Sequence, residues 1–236
     1  RLALARHYDN LEKADQRVGE LLAELEADGL ADNTLVVIWS DHGEGLPRAK
    51  RWPYDAGIRI PLIVRWPGKI APGTVNERLV SLVDLAPTML TVAGVTPPAH
   101  FHGQPFLGPA EAAPRDYIFA ARDRHDEAYD MVRAARDSRY KYLRHFHPEL
   151  PYLLWIPYSH KHPVIKDMWR LHRENALKPA EQVLFQSQRP PEELYDTQTD
   201  PWEQHNLAGD PAHRETLQRL RGALDDWRAK YGDMGD

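Results

Sequence analysis

The sequence of 236 residues contains no cysteine, and it contains no apolar run long enough to cross a bilayer. The absence of cysteine excludes disulfides, thiolate metal sites and cysteine nucleophiles from this stretch, but it does not fix the redox compartment. Basic residues are too few to outnumber the acidic ones, 30 against 35, so no general attraction to a phosphate backbone is expected. Neither nucleic acid nor a membrane is therefore predicted as a partner.

The sequence also lacks an initial Met. The start from Arg1 to Arg6 is too short and turns polar too early to be a signal peptide. We expect it to be the downstream part of a longer protein, in which any targeting signal would lie outside this sequence, so its localisation is left open. Its length and its 42% content of hydrophobic residues are typical of a folded globular chain with a real core.

The first part of the chain has the pattern of an α/β domain. Apolar residues recur every three or four positions between Leu11 and Leu25, which predicts a helix with one buried stripe. The apolar run Thr34–Ser40 predicts a strand covered on both faces, and Ile60–Val64 predicts a second strand. With a further helix near residues 83–90, we expect residues 1–114 to form one incomplete α/β domain.

The second part, residues 115–236, has a different pattern. Residues 116–122, 129–136 and 139–144 predict three consecutive strands, and such neighbours favour a small antiparallel sheet. One helix is expected near residues 164–174, within a long segment from His145 to Pro191 that is rich in aromatic and basic residues. A final helix should start at Asp210-Pro211 and pack through a stripe of apolar residues, namely Leu217, Leu220, Leu224 and Trp227.

Asp41, His42 and Gly43 follow the first predicted strand directly, and ligands of open α/β sheets gather beyond the carboxyl ends of strands. The carboxylate of Asp41 suits Ca²⁺ or Mg²⁺, whereas the imidazole of His42 suits Zn²⁺ better, so this pair alone does not choose the metal. Lys50 lies nine residues after Asp41 and offers a cation to an anionic ligand.

In this order and spacing the sequence resembles the sulfatase family. The likeness begins with Asp41-His42 and Lys50 and continues through Tyr54-Asp55 and Arg59–Val64. Three later stretches agree with it: Ser81–Thr88 with Ala93-Gly94, His102-Gly103-Gln104, and Glu193–Asp196 with Asp200-Pro201, Glu203 and Asn206-Leu207. The short loop from Asp41 to Lys50, with Pro47 six places after the Asp, is most similar to the N-sulfoglucosamine (heparan N-) sulfatase branch.

The resemblance implies an α/β fold of the alkaline-phosphatase and sulfatase type, followed by a small antiparallel sheet and a helix. It implies that Asp41 and His42 coordinate Ca²⁺, with Zn²⁺ or Mg²⁺ less favoured, and that Lys50 binds a sulfate oxygen. The family's nucleophile is a formylglycine made from Cys or Ser in a Cys/Ser-x-Pro-x-Arg motif, which is absent from this sequence. We therefore expect the missing N-terminal half of the same enzyme to supply the nucleophile, and the chain alone to be inactive.

Four further residues are predicted to contact the substrate, a sulfated small molecule or glycan. Arg48 lies in the same loop as Lys50, and Arg124, His125 and Glu127 lie in a predicted hairpin connection, where recognition residues tend to occur. The hairpin residues are equally compatible with an ordinary solvent-exposed turn that binds no ligand. By resemblance, a periplasmic or secreted location is expected.

Two other functions are compatible with the same residues. A dizinc phosphodiesterase or phosphonate monoester hydrolase of the same superfamily would also carry Asp-His-Gly after a strand. A non-catalytic module that binds sulfated glycans would keep the fold without the nucleophile. Zinc enrichment would favour the first alternative, and binding without turnover would favour the second.

Overall fold

A computed structural model describes residues 2–235 of the chain. Its α-helices and β-strands follow one another in this order: α1 (Leu2–Ala27), β1 (Val36–Trp39), α2 (Asp55–Ile58), β2 (Leu62–Arg65), α3 (Leu85–Val92), β3 (Ile118–His125), β4 (Ala128–Arg136), β5 (Tyr140–His145), α4 (Pro157–His160), α5 (Pro163–Arg173), α6 (Pro179–Gln182), β6 (Glu192–Asp196) and α7 (Arg214–Tyr231). The fold is mixed α/β with a small antiparallel sheet and a C-terminal helix, as predicted from the sequence.

The chain forms two compact units, each assembled from separate segments. Unit one contains the chain up to Trp52, Ala56–Val75 and Trp155–Gln182, and unit two contains Pro53–Asp55, Asn76–Leu154 and the chain from Val183 onward. Because both units are discontinuous in sequence, they do not follow a single cut after residue 114. The division into domains 1–114 and 115–236 stays a prediction.

Unit one begins with helix α1, which ends where Gly29 adopts a left-handed backbone with φ 68°. The predicted helix is confirmed, but its apolar stripe is not buried among the described residues, and Leu11 is 53% exposed. None of the helices within residues 2–235 combines the length and apolar character needed to cross a membrane.

Strands β1 and β2 of unit one pair antiparallel, with Val36 opposite Arg65 and Trp39 opposite Leu62. Both strands were predicted, but the prediction that β1 is covered on both faces is wrong within the part of the chain that the structure describes. Its residues are only partly buried, and Trp39 and Ile63 are 50% and 58% exposed. The chain leaves β1 at Ser40, so Asp41 and His42 lie at its carboxyl end as predicted.

The sheet of unit two has the strand order β3-β4-β5-β6, with every neighbouring pair antiparallel. The first three strands are those predicted, whereas β6 was expected only as part of a family signature. Helix α7 packs on this sheet through Leu217, Leu220 and Leu224, and the ring of Trp227 stacks on Phe119 at 5.2 Å.

Two of the family-like stretches in unit two are joined by one buried carboxylate, that of Asp84. It accepts hydrogen bonds from the backbone N–H of Ser81 at 2.8 Å and of Gln104 at 2.9 Å, and it pairs with Arg115. A side chain at Gly103 would collide with the carbonyl oxygen of Val83, only 1.9 Å from the position of a Cβ. The stretches 81–88 and 102–104 are therefore held together by the hydrogen bonds of Asp84 and by close backbone packing at Gly103.

Candidate active site

The candidate site lies in unit one, in the loop that follows β1. The side chain of Asp41 is largely exposed, and that of His42 is about one-third exposed, with 3.4 Å between Asp41 Oδ2 and His42 Nε2. The other ring nitrogen of His42, Nδ1, lies 2.7 Å from the carbonyl oxygen of Gly43. Because a carbonyl can only accept, Nδ1 carries the hydrogen and donates it.

This hydrogen bond leaves the lone pair of Nε2 directed at the Asp41 carboxylate in the neutral imidazole. Two acceptors facing each other repel unless a proton or a cation lies between them. A backbone carbonyl that fixes the far nitrogen of a ring is also the usual support of a metal-ligating histidine. The geometry of Asp41 and His42 therefore suits a shared cation.

Asp41 and His42 alone supply too few ligands for a metal ion. Ca²⁺ takes six to eight oxygen ligands, and a structural or catalytic Zn²⁺ site uses at least three protein ligands. Within residues 2–235, no three His, Asp or Glu side chains are grouped so as to hold a metal ion together. Asp41 and His42 would hold one side of the ion, and further ligands would have to complete its coordination.

The loop after His42 is closed by backbone contacts that leave no room for a side chain at position 43. Gly43 donates its N–H to the carbonyl of Gly57 at 2.9 Å, and Lys50 donates its N–H to the carbonyl of Glu44 at 2.9 Å. A Cβ at position 43 would lie 1.8 Å from the carbonyl oxygen of Ala56. These contacts bring the backbone of Lys50 close to that of residues 43 and 44.

Two arginines in this loop, Arg48 and Arg51, have left-handed backbones with φ of 63° and 72°. That conformation costs on the order of 1 kcal/mol for a residue with a Cβ, and it persists only where the surroundings impose it. Such outliers concentrate at functional sites. The backbone of the loop between His42 and Trp52 is therefore strained at Arg48 and Arg51.

We expect Gly43→Ala to lower the melting temperature by several degrees, because the new methyl group collides with the backbone of Ala56 and displaces the loop that carries His42 and Lys50. Gly45→Ala is the matched control, since a Cβ there meets no atom within 4 Å and its backbone is not left-handed. The measurement is the melting temperature of each variant. Equal melting temperatures of the two variants would contradict the close packing at Gly43.

Lys50, predicted to bind sulfate, is partly buried, and its Nζ lies 5.5 Å from the centre of the Tyr158 ring. The tip of this side chain is thus near an aromatic ring that the sequence did not associate with it. Convergence of Lys50 with Asp41 and His42 on one oxyanion stays a prediction, and so does contact of Arg48 with the substrate.

Comparisons with known proteins show the family to which this chain is similar. The model of the Sulfatase family matches residues 2–95, which include Asp41, His42 and Lys50. An ulvan-active sulfatase of Formosa agariphila is 42% identical over 226 residues, covering 96% of this chain and 38% of that protein. The N-sulphoglucosamine sulphohydrolase of Homo sapiens is 30% identical, covering 99% of this chain and 49% of that protein. The chain belongs to the sulfatase family.

Solved sulfatase structures share the fold of this sulfatase chain. One of them, determined in complex with its substrate D-glucosamine-2-N,6-O-disulfate, superposes with a TM-score of 0.66 at 23% identity, covering 95% of this chain and 40% of that one. The chain spans less than half the length of the curated relatives described above.

The second group of predicted substrate residues lies in unit two of the sulfatase, at the end of the β3–β4 hairpin. The predicted connection is shorter than expected, because Arg124 and His125 belong to β3 and only Asp126 and Glu127 form the turn. Arg124 and Glu127 are exposed, whereas His125 is buried at 3% exposure and does not present its ring to solvent. Sugar binding by these three residues stays a prediction.

Sequence reasoning missed Tyr158, the aromatic residue near Lys50, because the segment 145–191 has no clear periodicity. Only its helix at 164–174 was predicted, and it is present as α5. Trp155 and Tyr158 lie before that helix and were not proposed as functional. The available signal was compositional: an aromatic and basic segment without a buried stripe.

Proposed function

We propose that the chain is the part of a sulfatase that binds the sulfate group of a sulfated sugar, as an ester or an N-sulfate. The observation that carries this proposal is the 3.4 Å contact between Asp41 Oδ2 and His42 Nε2, with His42 Nδ1 bonded to the carbonyl of Gly43, at the carboxyl end of β1. Lys50 lies in the same closed loop and supplies the cation for the sulfate oxygens. Family membership and the names of the relatives support this assignment.

The chemistry requires fixed positive charge around a compact anion. In hydrolysis of a sulfate ester an oxygen nucleophile bonds to sulfur while the S–O bond to the leaving alcohol breaks, and negative charge lies on several oxygens in the transition state. A divalent ion held by Asp41 and His42 would polarise the sulfate as a Lewis acid. The ammonium of Lys50 would stabilise the same charge, and it costs no reorganisation because the loop is already closed.

We propose Ca²⁺ as the ion, on the resemblance to the family, with Zn²⁺ or Mg²⁺ less favoured. We further propose that the nucleophile, a formylglycine, belongs to a part of the enzyme outside this chain. A sulfated glycan as substrate is compatible with a periplasmic or secreted enzyme, and both remain proposals.

The deciding experiment is an assay of the full-length enzyme on 4-nitrophenyl sulfate, an N-sulfated glucosamine and a phosphodiester, with the bound metal measured in parallel. We expect sulfate release, loss of activity after chelation and recovery with Ca²⁺. Phosphodiester turnover with stoichiometric zinc would support the dizinc hydrolase instead. Binding of sulfated glycan without any turnover would support a non-catalytic module.

The chain itself should release no sulfate from these substrates when it is assayed without the rest of the enzyme. Addition of a separately produced upstream part is the control for an incorrectly folded chain, because it should restore turnover if the chain is competent. Turnover by residues 1–236 alone would refute the expected location of the nucleophile.

A further inference from the structure

A group of buried charges in unit two holds Asp55, the first residue of helix α2. Lys141 Nζ lies 2.5 Å from Asp55 Oδ1 and 2.9 Å from Glu203 Oε1, and Arg136 Nε lies 3.1 Å from Asp55 Oδ1. Each of these four side chains is at most 14% exposed. Buried ions are tolerated only where each charge is paired, and here two carboxylates face two cations. We call these four residues the Asp55 anchor.

The backbone of the same segment is bound as well. Glu203 Oε2 accepts a hydrogen bond from the N–H of Asp55 at 2.7 Å. The preceding residue, Tyr54, is fully buried and donates its hydroxyl hydrogen to Glu193 Oε2 at 2.7 Å. Glu203 has a left-handed backbone with φ 53°, which a residue with a Cβ keeps only where its surroundings impose it. Tyr54 and Asp55 are thus fixed through both side chain and backbone.

The residues of α2 after Asp55 support the loop from Gly43 to Trp52 in unit one, which carries Lys50. The carbonyl of Gly57 accepts a hydrogen bond from the N–H of Gly43 at 2.9 Å. A Cβ at position 57 would lie 2.1 Å from the carbonyl oxygen of Trp52 and 2.3 Å from that of Ala49. The backbone of α2 is therefore in direct contact with both ends of this loop.

We propose that Asp55 is a positioning residue of the sulfate site, because the Asp55 anchor fixes the start of α2 and α2 supports the loop that carries Lys50. This inference rests on the proposed function. Asp55 acts through the backbone that follows it and not by contact with the sulfate. Precise support of this kind matters in catalysis, since a displacement of about 1 Å at the reacting groups can cost about 100-fold in rate.

The first test is amide hydrogen exchange of the full-length enzyme, which needs no substrate. Arg136→Gln removes one of the two cations that hold Asp55, and it should speed exchange of the N–H groups of Gly43 and Lys50 about tenfold. These two N–H groups report on the loop because they donate to the carbonyls of Gly57 and Glu44. Arg136→Lys keeps the positive charge and should recover most of the protection.

The matched control is Arg139→Gln, which removes an ion pair of similar geometry in the same unit. Arg139 Nη2 lies 2.7 Å from Asp196 Oδ2, and its partner is therefore not Asp55. This variant should leave both the exchange of the loop and the activity unchanged. It separates positioning from a general loss of stability.

The second test is kinetic, with 4-nitrophenyl sulfate as the substrate and a temperature well below the melting temperature of each variant. Arg136→Gln should lower kcat about tenfold and leave KM within about a factor of two, because a displaced loop weakens contacts that strengthen in the transition state. Arg136→Lys should recover most of kcat. If Arg136→Gln does not fold, Asp55→Asn takes its place, since it keeps the shape of the side chain and removes its charge.

The two tests separate the anchor from the proposed function. Faster exchange in Arg136→Gln, in an enzyme whose wild type releases no sulfate, would refute the proposed function and leave the anchor standing. Equal exchange of Gly43 and Lys50 in Arg136→Gln and Arg139→Gln would overturn the anchor. A wild-type kcat in Arg136→Gln despite faster exchange would overturn the positioning role.

Discussion

Replacement of Lys50 by Ala should lower kcat/KM of the full-length enzyme by about 100- to 1,000-fold on every sulfated substrate. The estimate follows from the usual cost of removing one fixed donor to the charge that develops in a transition state. Lys50→Arg should recover part of the activity, because it keeps the positive charge but changes its geometry. The loss should appear in kcat, since the interaction strengthens as charge builds on the sulfate oxygens.

Lys69→Ala is the control for this variant, because Lys69 is exposed in the turn after β2, in the same unit. Retention of more than a third of the wild-type activity on the aryl sulfate would remove Lys50 from the proposed sulfate site.

The elements that the sequence predicted well are those whose patterns are local. Helix α7 follows from Asp210-Pro211 and the spacing of its leucines, and the three strands β3, β4 and β5 follow from short apolar runs separated by turn residues. The apolar stripe of α1 was predicted to be buried, but it is not buried among the described residues. Periodicity shows which face of a helix is apolar, but not what covers that face.

The candidate site was predicted from residue order and not from physical pattern. Asp41 and His42 could be placed at a strand end, but the closed loop depends on contacts of Gly43 and Gly57 that no periodicity reveals. The approach of Lys50 to Tyr158 joins residues 108 positions apart in sequence. Such long-range neighbours require the tertiary structure, and so the aromatic part of the site could not be predicted.

The buried charges of unit two were missed for the same reason. Lys141 is fully buried, and its Nζ lies 2.5 Å from Asp55 and 2.9 Å from Glu203. Glu193 is buried as well, and Asp55, Glu193 and Glu203 all belong to stretches that the sequence marked only as family-like. These stretches have a structural role, because they supply charged partners to buried groups such as Lys141, whose burial without a partner would be strongly destabilising.

The carboxylate of Glu193 is the most fully paired of these groups. Its Oε2 accepts hydrogen bonds from the hydroxyls of Tyr54 at 2.7 Å and Tyr195 at 2.9 Å. Its Oε1 accepts from Tyr152 and lies 3.1 Å from His145 Nε2. Burial alone would raise the pKa of Glu193, but the bonds from His145, Tyr152 and Tyr54 outweigh it and lower the pKa to about 2.

We therefore expect Glu193→Gln to lower the free energy of unfolding by about 3 kcal/mol at pH 7, the value of a pKa lowered from its ordinary 4.5 to about 2. The carboxylate stabilises the fold fully above pH 4.5, and this stabilisation is lost as the pH falls toward 2. The difference between variant and wild type should thus shrink to roughly half near pH 3. Urea unfolding at the two pH values measures it, with exposed Glu12→Gln as control. A difference that does not change with pH would show that shape, and not ionisation, makes Glu193 stabilising.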